Sequence, residues 1–128
     1  MRGASAIEQV VGKLADKKLR VLVVWQPMLP TDWGKPTSGA LARVSDSRAA
    51  QFWDPDHLVA REIVRDDPPA SVLPKPNCCE DGGIYWDMAI IYPPNAVWTA
   101  KSPTPVYRNG AVYQVVSEVE AKLREFTK

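Results

Sequence analysis

The chain has 128 residues, 45% apolar and 24% charged, which suits one ordinary globular domain with a modest core. Sixteen basic residues against 15 acidic ones leave a formal net charge of +1, so there is no electrostatic footprint of a nucleic-acid binder. No apolar run approaches the ~20 residues that cross a bilayer, and the opening MRGASAIEQVVGKLADKK turns amphipathic and charged at once, unlike a secretory signal.

A cytoplasmic protein with reduced thiols is therefore expected. Proline is over-used, at 12 residues, all but Pro55 gathered in WQPMLPTDWGKP, DDPPASVLPKP, YPPN and SPTP. Each cluster removes backbone donors that helix or sheet interiors need. Apolar segments continue on both sides of every cluster, so these are ordered loops inside a single domain spanning residues 1–128.

In chain order, SAIEQVVGKLADKK predicts a helix with Ile7, Val10, Val11 and Leu14 on one stripe and a Ser5/Glu8 capping box. LRVLVVW is short, valine-rich and without alternation, the pattern of a central strand covered on both faces. TSGALARVSDSR predicts a short helix capped by Thr37 or Ser38, with Ala40, Leu41 and Val44 inward. A strand at Ala49–Trp53 turns at Asp54–Pro55 into a helix that uses Leu58, Val59, Glu62 and Ile63. DDPPASVLPKPNCCEDGG reads as a loop with a brief extended piece at Ser71–Leu73, and Gly82–Gly83 turns the chain into a strand, IYWDMAIIY, ended by Pro93 and Pro94. Asn109–Gly110 between two β-rich runs predicts a type I′ hairpin turn. SEVEAKLREF predicts a final helix with a Ser117/Glu120 capping box and a stripe of Val116, Val119, Leu123 and Phe126. The whole is an α/β sandwich around a mixed sheet, parallel at its beginning and antiparallel at its end.

Two stretches carry a resemblance. LRVLVVWQPMLPTDW is similar to the first central strand and redox loop of thioredoxins, with Trp25 and Pro27 matching the Trp-x-Pro of Trp-x-Pro-Trp-Cys-x-x-Cys. SPTPVYRNGAVYQVVSEVEAKLREF resembles the family's proline-containing strand, hairpin and last helix. PMLPTD and QFWD are similar to stretches of a bacterial thioredoxin-like branch that lacks Cys-x-x-Cys and implies no particular activity. The resemblance implies a thioredoxin-like three-layer sandwich, a central mixed sheet flanked by helices, and a cis bond before Pro103 or Pro105. It also places Leu29 and Asp32 where the family carries its two cysteines. Residues 1–77 contain no cysteine, so the low-pKa thiolate and its resolving thiol are missing there.

The remaining chemistry is sparse. Cys78 and Cys79 are adjacent. Neighbouring Cα atoms lie about 3.8 Å apart, whereas ordinary disulfides want about 4.4–6.8 Å, so two free thiols are expected. Adjacency also fits zinc poorly. The pair is either a labile thiol switch or soft-metal contact, or one buried apolar cysteine beside an incidental one. In FWDPDHL, Asp54, Asp56 and His57, with Glu62, could hold a metal or move protons. Alternatively Asp54–Pro55 is a turn, Asp56 caps the helix and His57 sits in its first turn. Of five tryptophans, Trp25, Trp53 and Trp86 are expected in the core, and Trp33 and Trp98 in loops. No phosphate-loop, Gly-x-Ser-x-Gly or His-Glu-x-x-His pattern occurs, and no cofactor or metal is implied.

Two functions follow as expectations. One is a binding domain whose protein or small-molecule partner meets Trp25, Pro27, Leu29, Asp32, Asp54, His57 and Pro105, at the strand ends where open α/β sheets place their crevices. The other is a thiol-dependent redox or soft-metal-sensing protein acting through Cys78 and Cys79. Oligomeric state is open.

Overall fold

A computed structural model describes residues 2–29 and 34–127. Helix α1, Arg2–Lys13, buries Val10 and Val11, and Leu14 just past its end is fully buried. That is the stripe the spacing predicts, but the capping box does not form. Ser5 lies inside the helix and accepts from Arg43, while Glu8 accepts from the backbone and side chain of Ser45 (3.0 and 2.9 Å). The other end of α1 is closed from afar. Arg48 donates to the carbonyls of Val11, Leu14 and Lys17 at 2.8–2.9 Å, and Asp46 holds the same guanidinium with both oxygens. A cation there satisfies orphan carbonyls and complements the helix dipole.

Strands β1, Val21–Trp25, and β2, Ala49–Trp53, pair in parallel from Val21 opposite Ala49 to Trp25 opposite Trp53. The connection between them contains α2, Ser38–Leu41, whose first turn is capped by Thr37 accepting from Ala40 N (3.1 Å). Ala40 and Val44 are buried, as predicted. β1 is not covered on both faces, however. Leu22 is 60% exposed, and Phe52, opposite Val24 on the same face, is 52% exposed.

Helix α3, Leu58–Arg65, follows. Ser71–Leu73 is not extended; Val72 N and Leu73 N both fold back onto the Pro69 carbonyl. Gly82 and Gly83, both at positive φ, join the two-residue strands β3, Glu80–Asp81, and β4, Ile84–Tyr85. The single strand predicted from Ile84 onward is broken at Trp86–Asp87, and β5 is Met88–Ile91. Asp87, at φ 47°, redirects the chain.

Strand β6, Tyr107–Gly110, runs antiparallel to β5, with Ala89 opposite Asn109 and Met88 opposite Gly110. Asn109–Gly110 is therefore inside a ladder, and the predicted hairpin turn is absent. Gly110 is needed for a different reason: a β-carbon there would lie 2.7 Å from the Asp87 carbonyl oxygen.

A short 3₁₀ turn, Val112–Gln114, leads into α4, Val116–Phe126. No side chain caps the start of α4, and at its other end Thr127 Oγ1 donates to the Leu123 carbonyl (2.7 Å). Glu120 instead pairs with Lys13 (3.3 Å) and Arg124 (3.2 Å), tying α4 to α1. Val119 is buried, Val116 and Leu123 pack beside it, and Phe126 is 40% exposed.

A buried apolar cluster joins Val10 and Leu14 to Ala89, Ile91, Val112, Val115 and Val119, so α1 and α4 cover the β5–β6 ladder. The architecture is a mixed α/β arrangement with a parallel and an antiparallel ladder, as expected. Among the described residues these are separate two-stranded ladders, with β3–β4 a third, where one continuous sheet was predicted.

Candidate functional site

The ends of β1 and β2 bring four of the predicted site residues together. Asp54 N donates to the Trp25 carbonyl (2.8 Å), extending the parallel ladder by one bond. Both Asp54 carboxylate oxygens then accept from the first turn of α3, Oδ1 from Leu58 N (3.0 Å) and Oδ2 from Val59 N (2.8 Å). Asp54 is thus the cap of this helix; Asp56, the predicted cap, is exposed. The reason lies at His57, whose left-handed backbone (φ 58°) folds the chain back so that the earlier aspartate reaches the free N–H groups.

The His57 ring points the other way, Nε2 lying 2.5 Å from the Pro27 carbonyl oxygen. A carbonyl only accepts, so that nitrogen carries the proton. Trp25 Nε1 donates to Gln51 Oε1 (2.8 Å), whose amide donates to the Leu41 and Val44 carbonyls. Gln26 Nε2 donates to the Tyr85 carbonyl (2.7 Å), linking this region to β4.

These bonds leave little for catalysis or metal binding. Glu62, the fourth candidate ligand, pairs with Arg65. Among the described residues no group of three or more His, Cys, Asp or Glu is placed to hold a metal ion. Leu29, where the resemblance puts a family cysteine, is 60% exposed; Asp32 and Trp33 lie outside the described residues. Among the described residues, the first helix after β1 is α2, beginning at Ser38. Pro105 sits just before β6, and no hydrogen bond joins it to the Trp25–His57 group. The bonds before Pro103 and Pro105 are both trans, against the expectation from the resemblance; the cis bond among the described residues is Gly110–Ala111. Trp25 and Trp53 are half-buried, but Trp86 is 38% exposed instead of in the core, and Trp98 is 42% exposed.

A second cluster went unnoticed in the sequence. Arg108, on β6, is 4% exposed and makes a two-point pair with Asp67 (2.7 and 2.6 Å). Its Nη1 donates to the Pro74 carbonyl, Tyr85 donates to Asp67 (2.7 Å), and the guanidinium lies 5.8 Å from the Tyr85 ring centre. Burial, reinforced by the Asp67 carboxylate, pushes the Tyr85 hydroxyl up to about 12. Next door, Asp66 accepts from Ser102 N (3.0 Å) and is held below the usual carboxylate range, first by Arg65 and then by Ser102. The one signal in the chain was the DDPP run after a helix, which marks a turn and says nothing of a partner 41 residues away.

Cys78 and Cys79 are joined by a disulfide, which corrects the expectation of two free thiols. The Cα atoms are 3.7 Å apart and the backbone turns at Cys79, φ 81°. The spacing rule used above describes cysteines that meet across space; neighbours instead close a small ring through their own peptide bond. Such a ring closes no loop, so it constrains the unfolded chain very little. The two cysteines differ in burial. Cys78 is exposed and Cys79 is 6% exposed. A β-carbon on Gly110 would lie 3.2 Å from Cys79 Sγ, so the sulfur rests directly on the β6 backbone. The flanking chain is held on both sides: Asn109 Oδ1 on β6 accepts from Asn77 N (2.8 Å), and the Cys79 carbonyl accepts from Trp86 N (2.9 Å), just past β4.

Away from both places, a groove of about 400 Å³ is lined by Arg2, Ser5, Gln9, Arg43 and Tyr113; no predicted site residue reaches it. No helix of the described residues is long and apolar enough to cross a membrane. No family model, no curated protein and no solved structure matches the chain.

Proposed function

We propose that this is a thioredoxin-like domain without the Cys-x-x-Cys centre, and that it works by binding a protein or small molecule at the ends of β1 and β2. One observation carries this: both Asp54 carboxylate oxygens, His57 Nε2 and Trp25 Nε1 bond within the chain, while Leu29, two residues beyond the Pro27 that His57 meets, is 60% exposed. An ordered shelf presenting an apolar group is suited to recognition and poorly suited to proton or electron transfer. The parallel order of β1 and β2 supports the thioredoxin-like assignment, as does the β5–β6 ladder followed by a last helix. A nuclear magnetic resonance screen of the labelled protein with apolar fragments and peptides tests the location. Shifts should cluster at residues 25–29 and 54–58. Shifts confined to the Arg2–Arg43 groove would overturn it.

The bonded cysteine pair favours a second reading, in which Cys78–Cys79 is a two-electron thiol–disulfide site. Its exposure on one side and lack of any loop to stabilise suit a bond that is made and broken in use.

A further inference from the structure

From the unequal burial of the two cysteines we infer a direction of attack: a reducing thiolate enters at Cys78 and expels Cys79. This rests on the thiol–disulfide reading above and deepens it.

Exchange needs the incoming sulfur in line with the bond it breaks, so access decides which atom is attacked. Cys78 is open to solvent. Cys79 is 6% exposed and its sulfur packs against Gly110 of β6, near the Asp87 carbonyl, so an incoming thiolate has little access to it. In the first step the thiolate of a dithiol reductant bonds to Cys78 Sγ. The Cys78–Cys79 bond breaks, and its electron pair leaves on Cys79 Sγ, which takes up a proton. In the second step the reductant's other thiolate attacks its own sulfur in the mixed disulfide and releases Cys78 as a thiol. The reductant ends as a disulfide, and the protein has gained two electrons and two protons. In the reverse direction Cys79 is the resolving thiol. The cysteines are therefore not interchangeable: Cys78 faces the partner and Cys79 works from beneath.

Gly110 follows as a positioning residue. It is the floor on which Cys79 rests, and a side chain there would meet the sulfur.

The test uses the full chain and three measurements. First, thiols are counted by alkylation before and after dithiothreitol; none before and two after are expected. Second, the oxidised protein is treated briefly with 2-mercaptoethanol, quenched in acid, and the adduct mapped by fragmentation between the two cysteines; it should sit on Cys78. Third, C79S and C78S are each reacted with 5,5′-dithiobis(2-nitrobenzoate), after circular dichroism confirms that both are folded. C78S, which leaves the buried thiol, should react about tenfold or more slowly than C79S. Two free thiols that resist oxidation would end the redox reading, and this inference with it. A reducible disulfide whose adduct lies on Cys79, or equally on both, would overturn the inference alone, as would equal reaction rates of the two variants.

Discussion

Asp54 and Asp56 are two residues apart, yet only one closes α3. Asp54→Ala removes two charge-assisted bonds to the first turn and should cost about 1–2 kcal/mol, the usual range for a lost cap. Asp56→Ala should stay within about 0.5 kcal/mol, as an exposed residue without such a role. Urea midpoints of the two variants decide it, and equal losses would contradict the assignment. The sequence announced the Asp-Pro turn and the helix beyond it. It could not announce which aspartate turns back, because that depends on the left-handed backbone of His57. Tyr85 offers a second residue-level check. Its phenol keeps its proton to about pH 12 in the folded chain, against 10.0 ordinarily. Since the folded value is the higher, its contribution to stability is intact below pH 10 and disappears as pH rises toward 12. Absorbance at 295 nm should show Tyr85→Phe lowering the amplitude of tyrosinate formation near pH 12.

Elements were legible where a periodic pattern coincided with local packing. β2 falls at the predicted Ala49–Trp53, and the stripes of α1 and α4 meet in one buried cluster. Misreadings arose where one residue type serves two purposes. Asn-Gly signals a tight turn because glycine tolerates positive φ, but Gly110 is there because Asp87 and Cys79 press against its backbone. Likewise, an apolar run signals a strand covered on both faces, yet Leu22 and Phe52 leave one face of β1–β2 exposed. The two uses of glycine predict opposite results. Gly110→Ala should destabilise by about 1–3 kcal/mol through overpacking. Gly12→Ala, near the end of α1 with nothing within 4 Å, should stabilise by up to about 1 kcal/mol. Thermal midpoints moving the same way in both variants would contradict this account.

For the molecule as a whole, polar side chains tie the ladders to the helices and turns around them. Arg108–Asp67 fastens β6 to the chain after α3, and Arg48 fastens β2 to α1. Neither link was legible, because the partners are 41 and 34–37 residues apart and lie in turns or strands whose own patterns are complete without them. Asp67→Ala strands a buried guanidinium and should cost about 3–5 kcal/mol, read from denaturant unfolding. Asp46 is held at about 2, against 3.8 ordinarily, chiefly by its bonds to Arg48. Because the folded value is the lower, the stability it contributes is present above pH 4 and lost as pH falls toward 2. Asp46→Asn should flatten the acid limb of the stability curve over that window.

At this scale the central claim is that the chain, proposed above to be thioredoxin-like, has no exchange chemistry at the ends of its parallel strands. Dithiothreitol-driven reduction of insulin, followed by turbidity, measures it most directly. The wild-type protein should leave the uncatalysed rate unchanged. Sustained turnover that survives in the double variant C78S/C79S would mean that residues 25–29 and their neighbours do the chemistry assigned here to none of them.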